Sequence, residues 1–335
     1  MKKLLFIFLA ISIIALILAG CTSQSAPAAG TKDNAAAEKT TIRLGGLKGP
    51  TSMGMVKLLE DAENGTTLND YEFTMAGSAD ELTPKILQGE LDILAVPANL
   101  GAILYNNSEG SVQFLAVNTL GVIYIVEKGG ETIKTWDDLR GKTIYSIGKG
   151  STPEYALNYL LEQNGINAET EVAIEWKIEP SEVVAIMANE DNIVAMLPQP
   201  FVTVAEAQFS DLRIALDLTK EWESLDNGSQ FITAGLIVRT AFAKEHPDAV
   251  ENFLKEYNAS TEYINANISD AALLVEKYGI VKADVAEKAI PYCNIVCITG
   301  SKMKTAVNGY FEVLKAQNPK AVGGTLPKDD FYYGE

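Results

Sequence analysis

The sequence predicts an α/β protein made of two lobes of like construction. Strand-like and helical segments alternate through most of the chain, which is typical of a largely parallel sheet covered by helices. The pattern Lys48-Gly49-Pro50-Thr51 returns 101 positions later as Lys149-Gly150-Ser151-Thr152, each time between a strand-like run and a helical one. Apolar runs that stop at Pro97 and Pro198 keep the same spacing. Any α/β protein repeats strand, loop and helix, but two landmarks with one spacing favour equivalent lobes.

The two glycine loops are expected to supply the two halves of a binding site. A glycine loop before a helix exposes the first backbone N–H groups of that helix, which have no partner within the helix. The helix after the second loop is predicted over residues 153–163, with Gly165 just past its end. We therefore expect hydrogen-bond donors from both lobes to face one ligand.

The first 20 residues have the pattern of a secretory signal peptide. Lys2 and Lys3 precede an apolar run from Leu4 to Ala19, which is shorter than the roughly 20 residues that a membrane-spanning helix needs. The run ends in Leu18-Ala19-Gly20-Cys21, which resembles the lipobox of bacterial lipoproteins and implies cleavage before Cys21 and its lipidation. A simple cleaved signal with an incidental cysteine is the alternative. Residues 21–39 are rich in small and polar side chains, and we expect a flexible tether there.

The charge of the chain excludes some classes of partner. Its formal net charge of −17 makes nucleic acid and anionic lipid head groups poor partners for the folded part. The four arginines, Arg43, Arg140, Arg213 and Arg239, are scattered and none belongs to a cluster.

The cysteine pair Cys293 and Cys297 leaves one question open. A disulfide is permitted outside the cytoplasm, but a four-residue spacing in a regular helix holds the side chains too far apart, so closure requires a departure from helix. A metal site is disfavoured because the one histidine, His246, lies far away in the sequence.

The first lobe is predicted from four strand-like runs, residues 41–44, 71–75, 92–96 and 112–117, with helical segments between them. Ligands of open parallel sheets lie beyond the carboxyl ends of the strands. We therefore expect a ligand near the segments that follow these runs, residues 48–52, 76–78, 97–99 and 118–119.

The lobe boundaries follow from two long extended runs. We expect the chain to cross between lobes at residues 121–126 and again at residues 231–238. Lobe 1 then comprises residues 40–125 and 236–335, and lobe 2 comprises residues 126–235. The remainder after Pro247 is expected to be helical, and the aromatic end Phe331-Tyr332-Tyr333 to pack back on lobe 1.

Several segments together resemble a known family. These are the lipobox, the glycine loop after the first strand, Gln88-Gly89-Glu90-Leu91-Asp92-Ile93, Leu139-Arg140-Gly141-Lys142 and Leu197-Pro198-Gln199-Pro200-Phe201. From Thr41 onward the chain resembles the solute-binding lipoproteins of ABC importers, and most closely the nitrate, sulfonate and taurine type, which includes binding proteins for thiamine pyrimidine precursors. The resemblance implies a two-lobed type II periplasmic binding protein fold with two crossing strands as hinge.

The same resemblance implies a function and its partners. The protein would close over a small organic ligand, sulfonate-like, pyrimidine-like or related, and deliver it to an ABC permease in the membrane. It would act outside the cytoplasm as a monomer, held to the cell membrane by its lipid anchor, with no cofactor and no catalysis of its own.

The ligand contacts that the resemblance implies come from both lobes. Lysine side chains at the loops are either ligand contacts or solvated, and the hydroxyl side chains either contact ligand, cap their helices or do both. Phe201 either stacks on a flat ligand or fills the core. The implied contacts are Lys48, Pro50, Thr51, Ser52, Met53, Ser78, Pro97, Asn99, Asn118, Thr119, Lys149, Gly150, Ser151, Thr152, Gln199 and Phe201. No arginine lies in these loops, which argues against a strongly acidic ligand.

Two other functions remain as alternatives. The same fold resembles the pyrimidine-forming enzymes of thiamine synthesis, which use a histidine and bound pyridoxal phosphate. The single His246 lies outside every candidate loop, which argues against such an enzyme. A ligand sensor module is the second alternative, and no segment specifically indicates it.

Overall fold

The computed structural model describes residues 39–334. The expected signal peptide, nearly all of the expected tether and the lipidation site Cys21 lie outside the described residues. Within residues 39–334, no helix combines the length and the apolar character that a membrane span requires.

The first part of the described chain alternates strands and helices, as predicted. Its elements are β1 (Thr41–Leu47), α1 (Pro50–Met53), α2 (Val56–Glu63), β2 (Asp70–Ala76), α3 (Thr83–Leu87), β3 (Ile93–Pro97), α4 (Ala98–Asn107) and β4 (Val112–Leu120). Proline lies in the first turn of α1 and of α3, where its missing N–H would have no helical partner anyway. Strand β3 is buried from Ile93 to Val96, which explains why its sequence is apolar without alternation.

The middle of the chain repeats this construction. Its elements are β5 (Ile123–Lys128), β6 (Thr143–Ile147), α5 (Thr152–Gln163), β7 (Ala173–Lys177), α6 (Pro180–Met187), β8 (Ile193–Pro198), α7 (Phe201–Gln208), β9 (Leu212–Asp217) and α8 (Leu218–Ser224). Helix α5 begins after the extended Ser151, has Pro153 in its first turn, and buries Leu157 and Leu160. These features are the ones that predicted it from the sequence.

The last part is mostly helical, with a return strand at its start. Its elements are β10 (Ile232–Arg239), α9 (Thr240–Glu245), α10 (Pro247–Ala266), α11 (Ile268–Lys277), α12 (Ala283–Ala289), β11 (Ile295–Ile298) and α13 (Gly300–Gln317). The prediction that everything after Pro247 is helical is wrong at β11, which pairs with β4. The β-branched run Ile295-Val296 suits a strand, but the helical patterns on both sides of it hid the signal. Cys293 and Cys297 are both free.

Each sheet forms the centre of one lobe, and the two have equivalent strand orders. The lobe 1 sheet has the order β11-β4-β10-β3-β1-β2, and the lobe 2 sheet has the order β7-β6-β8-β5-β9. The parallel sets β2-β1-β3 and β7-β6-β8 correspond. In each lobe the next strand, β10 or β5, runs antiparallel to its neighbours. The two-lobed α/β architecture expected from the repeated glycine loops is therefore present.

The two crossings between sheets are shorter than the extended runs in the sequence. Strand β4 ends at Leu120 in lobe 1 and β5 begins at Ile123 in lobe 2, so only Gly121 and Val122 join them. The return crossing is the segment 225–231 between α8 and β10. Residues 123–125 pair in the lobe 2 sheet and residues 232–235 in the lobe 1 sheet, because each extended run is a complete strand of a single sheet.

A continuous apolar core joins the lobes beside these crossings. The Trp222 ring of lobe 2 lies 5.3 Å from the Phe231 ring and 5.4 Å from the Tyr310 ring on α13. All three residues belong to one buried cluster that also holds Leu157 of α5 and Phe114 of β4. The aromatic end packs on lobe 1, where Tyr333 N donates to Phe114 O at 3.0 Å.

Candidate functional site

A cavity of about 400 Å³ lies between the carboxyl edges of the two sheets, and we call it the central cavity. Both lobes and both glycine loops contribute to its wall. The lining residues are Leu47, Lys48, Gly49, Pro50, Thr51, Gly77, Ser78, Ala79, Asp80, Pro97, Leu100, Thr119, Val122, Ile123, Ile147, Gly148, Lys149, Gly150, Ser151, Pro153, Trp176, Lys177, Ile178, Pro180, Pro198, Thr233 and Ala234. Its volume is within the range of roughly 300–1,000 Å³ that is usual for small-molecule sites.

The two glycine loops take a backbone conformation that depends on glycine. Gly49 has a φ of 153° and Gly150 a φ of 76°, values that residues with a Cβ adopt only with strain. Both loops direct the chain from the end of a strand, β1 or β6, into a helix, α1 or α5. The sequence repeat thus marks equivalent positions on opposite sides of the cavity.

The structure brings many of the predicted contacts together at the central cavity. The predicted residues that line it are Lys48, Pro50, Thr51, Ser78, Pro97, Thr119, Lys149, Gly150 and Ser151. They come from the last residues of β3 and β4 and from the segments that follow β1, β2 and β6, which are the carboxyl ends of strands as expected for an open sheet. Their contact with a ligand stays a prediction.

Three predicted residues of lobe 1 are buried next to the first glycine loop and do not line the central cavity. The Ser52 hydroxyl donates to Leu47 O at 2.6 Å and is buried. Met53 is in the core, where its Sδ lies 3.7 Å from Cys293 Sγ. Asn118 Nδ2 donates to Thr51 O at 3.3 Å, because side chains alternate along β4 and Asn118 points away from its neighbour Thr119.

Asn99 and Thr152 join the lobes instead of lining the cavity. Thr152 Oγ1 at the start of α5 donates to Asn99 Oδ1 on α4 at 3.2 Å, and both side chains are fully buried. Asn99 Nδ2 donates to Ala321 O at 3.0 Å. These polar groups are therefore used in packing one lobe against the other.

Gln199 and Phe201 face away from the central cavity. The Gln199 Oε1 accepts a hydrogen bond from Thr203 Oγ1 at 2.9 Å, and the residue lines a separate cavity of about 400 Å³ with Tyr124 and Lys288. Phe201 is 6% exposed within the lobe 2 core. Helix α7 begins at Phe201, and its buried face carries the ring into the core. Of the two roles expected for Phe201, filling the core is therefore the one that the structure favours.

Two threonines of the cavity wall have hydroxyl groups without a hydrogen-bond partner among the described residues. The sequence predicted only Thr119 of these two as a site residue. Thr119 is fully buried, and its Oγ1 has no hydrogen-bond partner among the described residues. The Oγ1 atom of Thr233 on β10 is also buried and also has no hydrogen-bond partner among the described residues. The two residues are neighbours because β4 and β10 pair there, with a register shift between Ile232 and Ala234. The sequence interpretation assigned the β10 run to a crossing and so did not consider Thr233.

The end of β7 supplies a further part of the wall that the sequence did not identify as site. Trp176 and Ile178 both line the central cavity, and Ile178 is 70% exposed. Trp176 is half-buried. The signal for both was their position at the carboxyl end of a strand next to β6, which is the rule that correctly located the other loops.

The charged groups around the cavity are mixed in sign. Neither the Lys48 side chain nor the Lys149 side chain has a hydrogen bond or ion pair with another described residue, and both residues are exposed. Lys177 Nζ donates to Glu175 Oε2 at 3.0 Å. No arginine is among the residues that line this cavity. In the described part of the chain, no group of three His, Cys, Asp or Glu side chains is placed to hold a metal ion.

Known proteins match the chain at the level of family pattern and of fold. The NMT1/THI5-like family model matches residues 110–271, whereas no curated protein sequence matches. An ABC transporter structure from Parabacteroides distasonis has a TM-score of 0.72 and 22% identity, covering 88% of this chain and 99% of that one. The alkanesulfonate-binding protein of Xanthomonas axonopodis pv. citri bound to MOPS has a TM-score of 0.69 and 14% identity, covering 88% and 96%.

The chain has the two-lobed fold of a periplasmic binding protein. The periplasmic nitrate-binding protein of Synechocystis PCC 6803 shares this fold with a TM-score of 0.60 and 13% identity, covering 74% of this chain and 69% of that one. The resemblance to sulfonate and nitrate binding proteins of ABC transporters, which the sequence motifs indicated, is confirmed. In a periplasmic binding fold the central cavity occupies the space between the lobes, and it is the candidate functional site of this chain.

Proposed function

We propose that this chain is an extracytoplasmic solute-binding lipoprotein of an ABC importer. It encloses a small organic solute, sulfonate-like, pyrimidine-like or related, in the central cavity and presents it to a membrane permease. The observation that carries this proposal is a cavity of about 400 Å³ lined by equivalent loops of two equivalent lobes. A wall built from both lobes suits enclosure, because a solute can contact both sides only when the lobes are together.

The proposed protein binds its solute without changing it. His246 separates α9 from α10 and does not line the central cavity, so the histidine of the enzyme alternative is missing from the site. The solved structures named for a solute are binding proteins for alkanesulfonate and nitrate. A product formed on incubation with pyridoxal phosphate and iron would favour the enzyme alternative instead.

The test of solute binding begins with the protein purified from its own cells under mild conditions. Native mass spectrometry should show a small molecule that leaves the protein on unfolding. The same molecule, added to refolded protein at about 100 times its dissociation constant, should stabilise the folded state by about 2.7 kcal/mol. A protein that carries no molecule and gains no stability from any sulfonate, pyrimidine, nucleobase or carboxylate would contradict the proposal.

The lipid anchor is tested by removing the proposed lipidation site. We expect the unaltered protein to enter the detergent-rich phase of Triton X-114, because two acyl chains give stable anchoring where one is marginal. The Cys21→Ala variant should remain in the aqueous phase. The variant Cys297→Ala is the control and should partition like the unaltered protein, and equal partitioning of all three would exclude the anchor.

A further inference from the structure

We propose that the central cavity selects an uncharged solute, anchored on the hydroxyl groups of Thr119 and Thr233, and that Glu81 and Glu154 exclude anions from it. This inference rests on the proposed function and narrows its solute class. Three observations support it: the placement of two carboxylates, the two unpartnered hydroxyls, and the engagement of the arginines elsewhere.

The first observation is that the chain's own carboxylates occupy the backbone donors of two loops. Ser78 N donates to Glu81 Oε1 at 3.2 Å on the lobe 1 side. Gly150 N donates to Glu154 Oε2 on the lobe 2 side. Ser78 and Gly150 both line the central cavity. An anionic solute seeks the same N–H groups at the start of a helix, so it would have to displace a carboxylate and would meet its charge.

The hydroxyl groups of the loops are also engaged within their own loops. Thr51 Oγ1 donates to Leu47 O at 3.1 Å, and Ser151 Oγ donates to Gly148 O at 2.8 Å. Their protons are therefore not free for a solute. Thr119 and Thr233 differ, because neither hydroxyl has a partner among the described residues although both atoms are buried.

The second observation is this hydroxyl pair. A buried hydroxyl without a partner is costly, and a group that supplies the missing hydrogen bond recovers that cost. Adjacent wall residues Val122, Ile123 and Ala234 are apolar. A formal charge placed among them would lose its hydration and gain no counter-charge. An amide or carbonyl group, in contrast, can bond both hydroxyls without carrying a charge.

The third observation concerns the cations. The arginines pair elsewhere, Arg43 and Arg239 with Asp92, Arg140 with Glu171, and Arg213 with Glu127. Lys48 and Lys149 are exposed, and an exposed ion pair contributes little. Asp80 also lines the cavity. Lys177, the other lysine of the wall, is half-buried and donates to Glu175. The wall therefore offers no unpaired buried cation to an anion, in contrast to what recognition of a sulfonate or nitrate group usually requires.

The test compares two probes that share one ring, nicotinamide and pyridine-3-sulfonate, by protein-observed NMR titration of the full chain. We expect the dissociation constant of nicotinamide to be lower by about tenfold or more. The Thr119→Val variant should bind nicotinamide about tenfold more weakly, since valine removes the hydroxyl but keeps the shape of the side chain. The Thr119→Ser variant should bind nicotinamide as tightly as the unaltered protein does.

The carboxylates are tested by removing their charge without removing the hydrogen bond. In the double variant Glu81→Gln and Glu154→Gln we expect the affinity for pyridine-3-sulfonate to rise about tenfold while that for nicotinamide is unchanged. The double variant Glu162→Gln and Glu169→Gln, which removes two exposed carboxylates that do not line the central cavity, is the matched control for net charge and should change neither affinity.

Two titration results would overturn the inference. One is tighter or equal binding of pyridine-3-sulfonate by the unaltered protein, and the other is binding of neither probe. These outcomes are separate from failure of the proposed function, which depends on whether any solute is carried from the cells. A co-purified sulfonate would support solute binding and contradict the exclusion of anions.

Discussion

Asp92 illustrates how lobe 1 holds a buried charge. Its Oδ1 accepts hydrogen bonds from Arg43 at 2.6 Å and from Arg239 at 2.9 Å, and its side chain is 1% exposed. Burial alone would raise the pKa of this carboxyl, but hydrogen bonds from Arg43 and Arg239 keep the pKa below its ordinary value of 3.8. A lowered folded-state pKa means that ionised Asp92 stabilises the fold above the ordinary pKa and that this contribution is lost as pH falls through the folded-state pKa.

We expect Asp92→Asn to lower the free energy of unfolding by about 2 kcal/mol at neutral pH, since two arginines lose their counter-charge while Arg43 keeps partial contact with water. Urea unfolding measures this change. The difference between the two proteins should shrink as pH falls below 3.8, the ordinary aspartate value. Asp61→Asn, which removes a half-buried pair with Lys57 one helical turn away, should cost less than about 0.5 kcal/mol. A pH-independent difference for Asp92→Asn would contradict the assignment.

At the scale of single residues, the sequence located the loops better than the side chains that face the cavity. Lys149 and Gly150 were identified from a repeat, which depends only on local order. Asn118 and Thr119 differ in direction because strand β4 alternates, and their facing is fixed only by which side of the sheet the partner lobe covers. Thr152 was predicted as a ligand contact, but packing between lobes brings it to Asn99, which no local pattern indicates.

At the scale of elements, the pairing of β4 with β10 depends on a close approach that only glycine permits. A Cβ added to Gly235 would lie 2.0 Å from Cζ of the Phe114 ring. Phe114 in turn packs against Phe311 and Phe331, with ring centroids 6.5 and 5.6 Å away. The ring therefore has little room to move, and β10 can approach it only without a side chain at that position.

Gly235→Ala is accordingly expected to destabilise the protein by about 1–3 kcal/mol through overpacking, as measured by thermal unfolding. Gly309→Ala in α13 provides the opposite case. Its added Cβ would meet its nearest neighbours at 3.7 Å or more, so replacing glycine within a helix should stabilise by about 0.5–1 kcal/mol. If both substitutions had the same sign, the steric explanation would be wrong.

The helices and strands were largely predictable from the sequence, with strand β11 as the exception. Strands β1, β3, β6 and β8 have largely apolar sequences followed by a helix, directly after β3 and after a short loop in the other three, and these patterns are local. Strand β11 was missed because it is short and lies between helical segments, and its strand character is realised only through pairing with β4. The sequence prediction put the two crossings between lobes within the runs that form β5 and β10 for the same reason, since the sheet to which a strand belongs depends on distant partners.

At the scale of the whole molecule, the lobes are joined by more than their two crossings. The buried cluster that contains Trp222 and Tyr310 extends from lobe 2 into lobe 1. Thr152 and Asn99 add a buried hydrogen bond between the lobes. Each lobe therefore lacks part of its core when it is separated from the other.

We expect calorimetry to show a single unfolding transition with matching calorimetric and van't Hoff enthalpies, because loss of one lobe exposes the core of the other. Trp222→Ala should lower the stability by about 3–5 kcal/mol and thereby the temperature of the whole transition. Two separate transitions would show that the shared cluster does not couple the lobes.

Solute binding should also change the dimensions of the molecule. If the segments 121–122 and 225–231 act as a hinge, small-angle X-ray scattering should give a smaller radius of gyration with the co-purified solute than without it. A compound that produces no thermal stabilisation serves as the control and should leave the radius unchanged. An equal radius with and without the co-purified solute would argue against closure.

The arrangement of the crossings has one more consequence. Leu120, just before the chain leaves lobe 1, pairs directly with Ile232, just after it returns. The whole of lobe 2 is thus an uninterrupted insert whose entry and exit points are neighbours on adjacent strands. A chimera that grafts the corresponding block of a protein with the same fold at these two points would exchange the lobe 2 wall of the central cavity with only two splice sites, and leave the lobe 1 strand pairing unaltered.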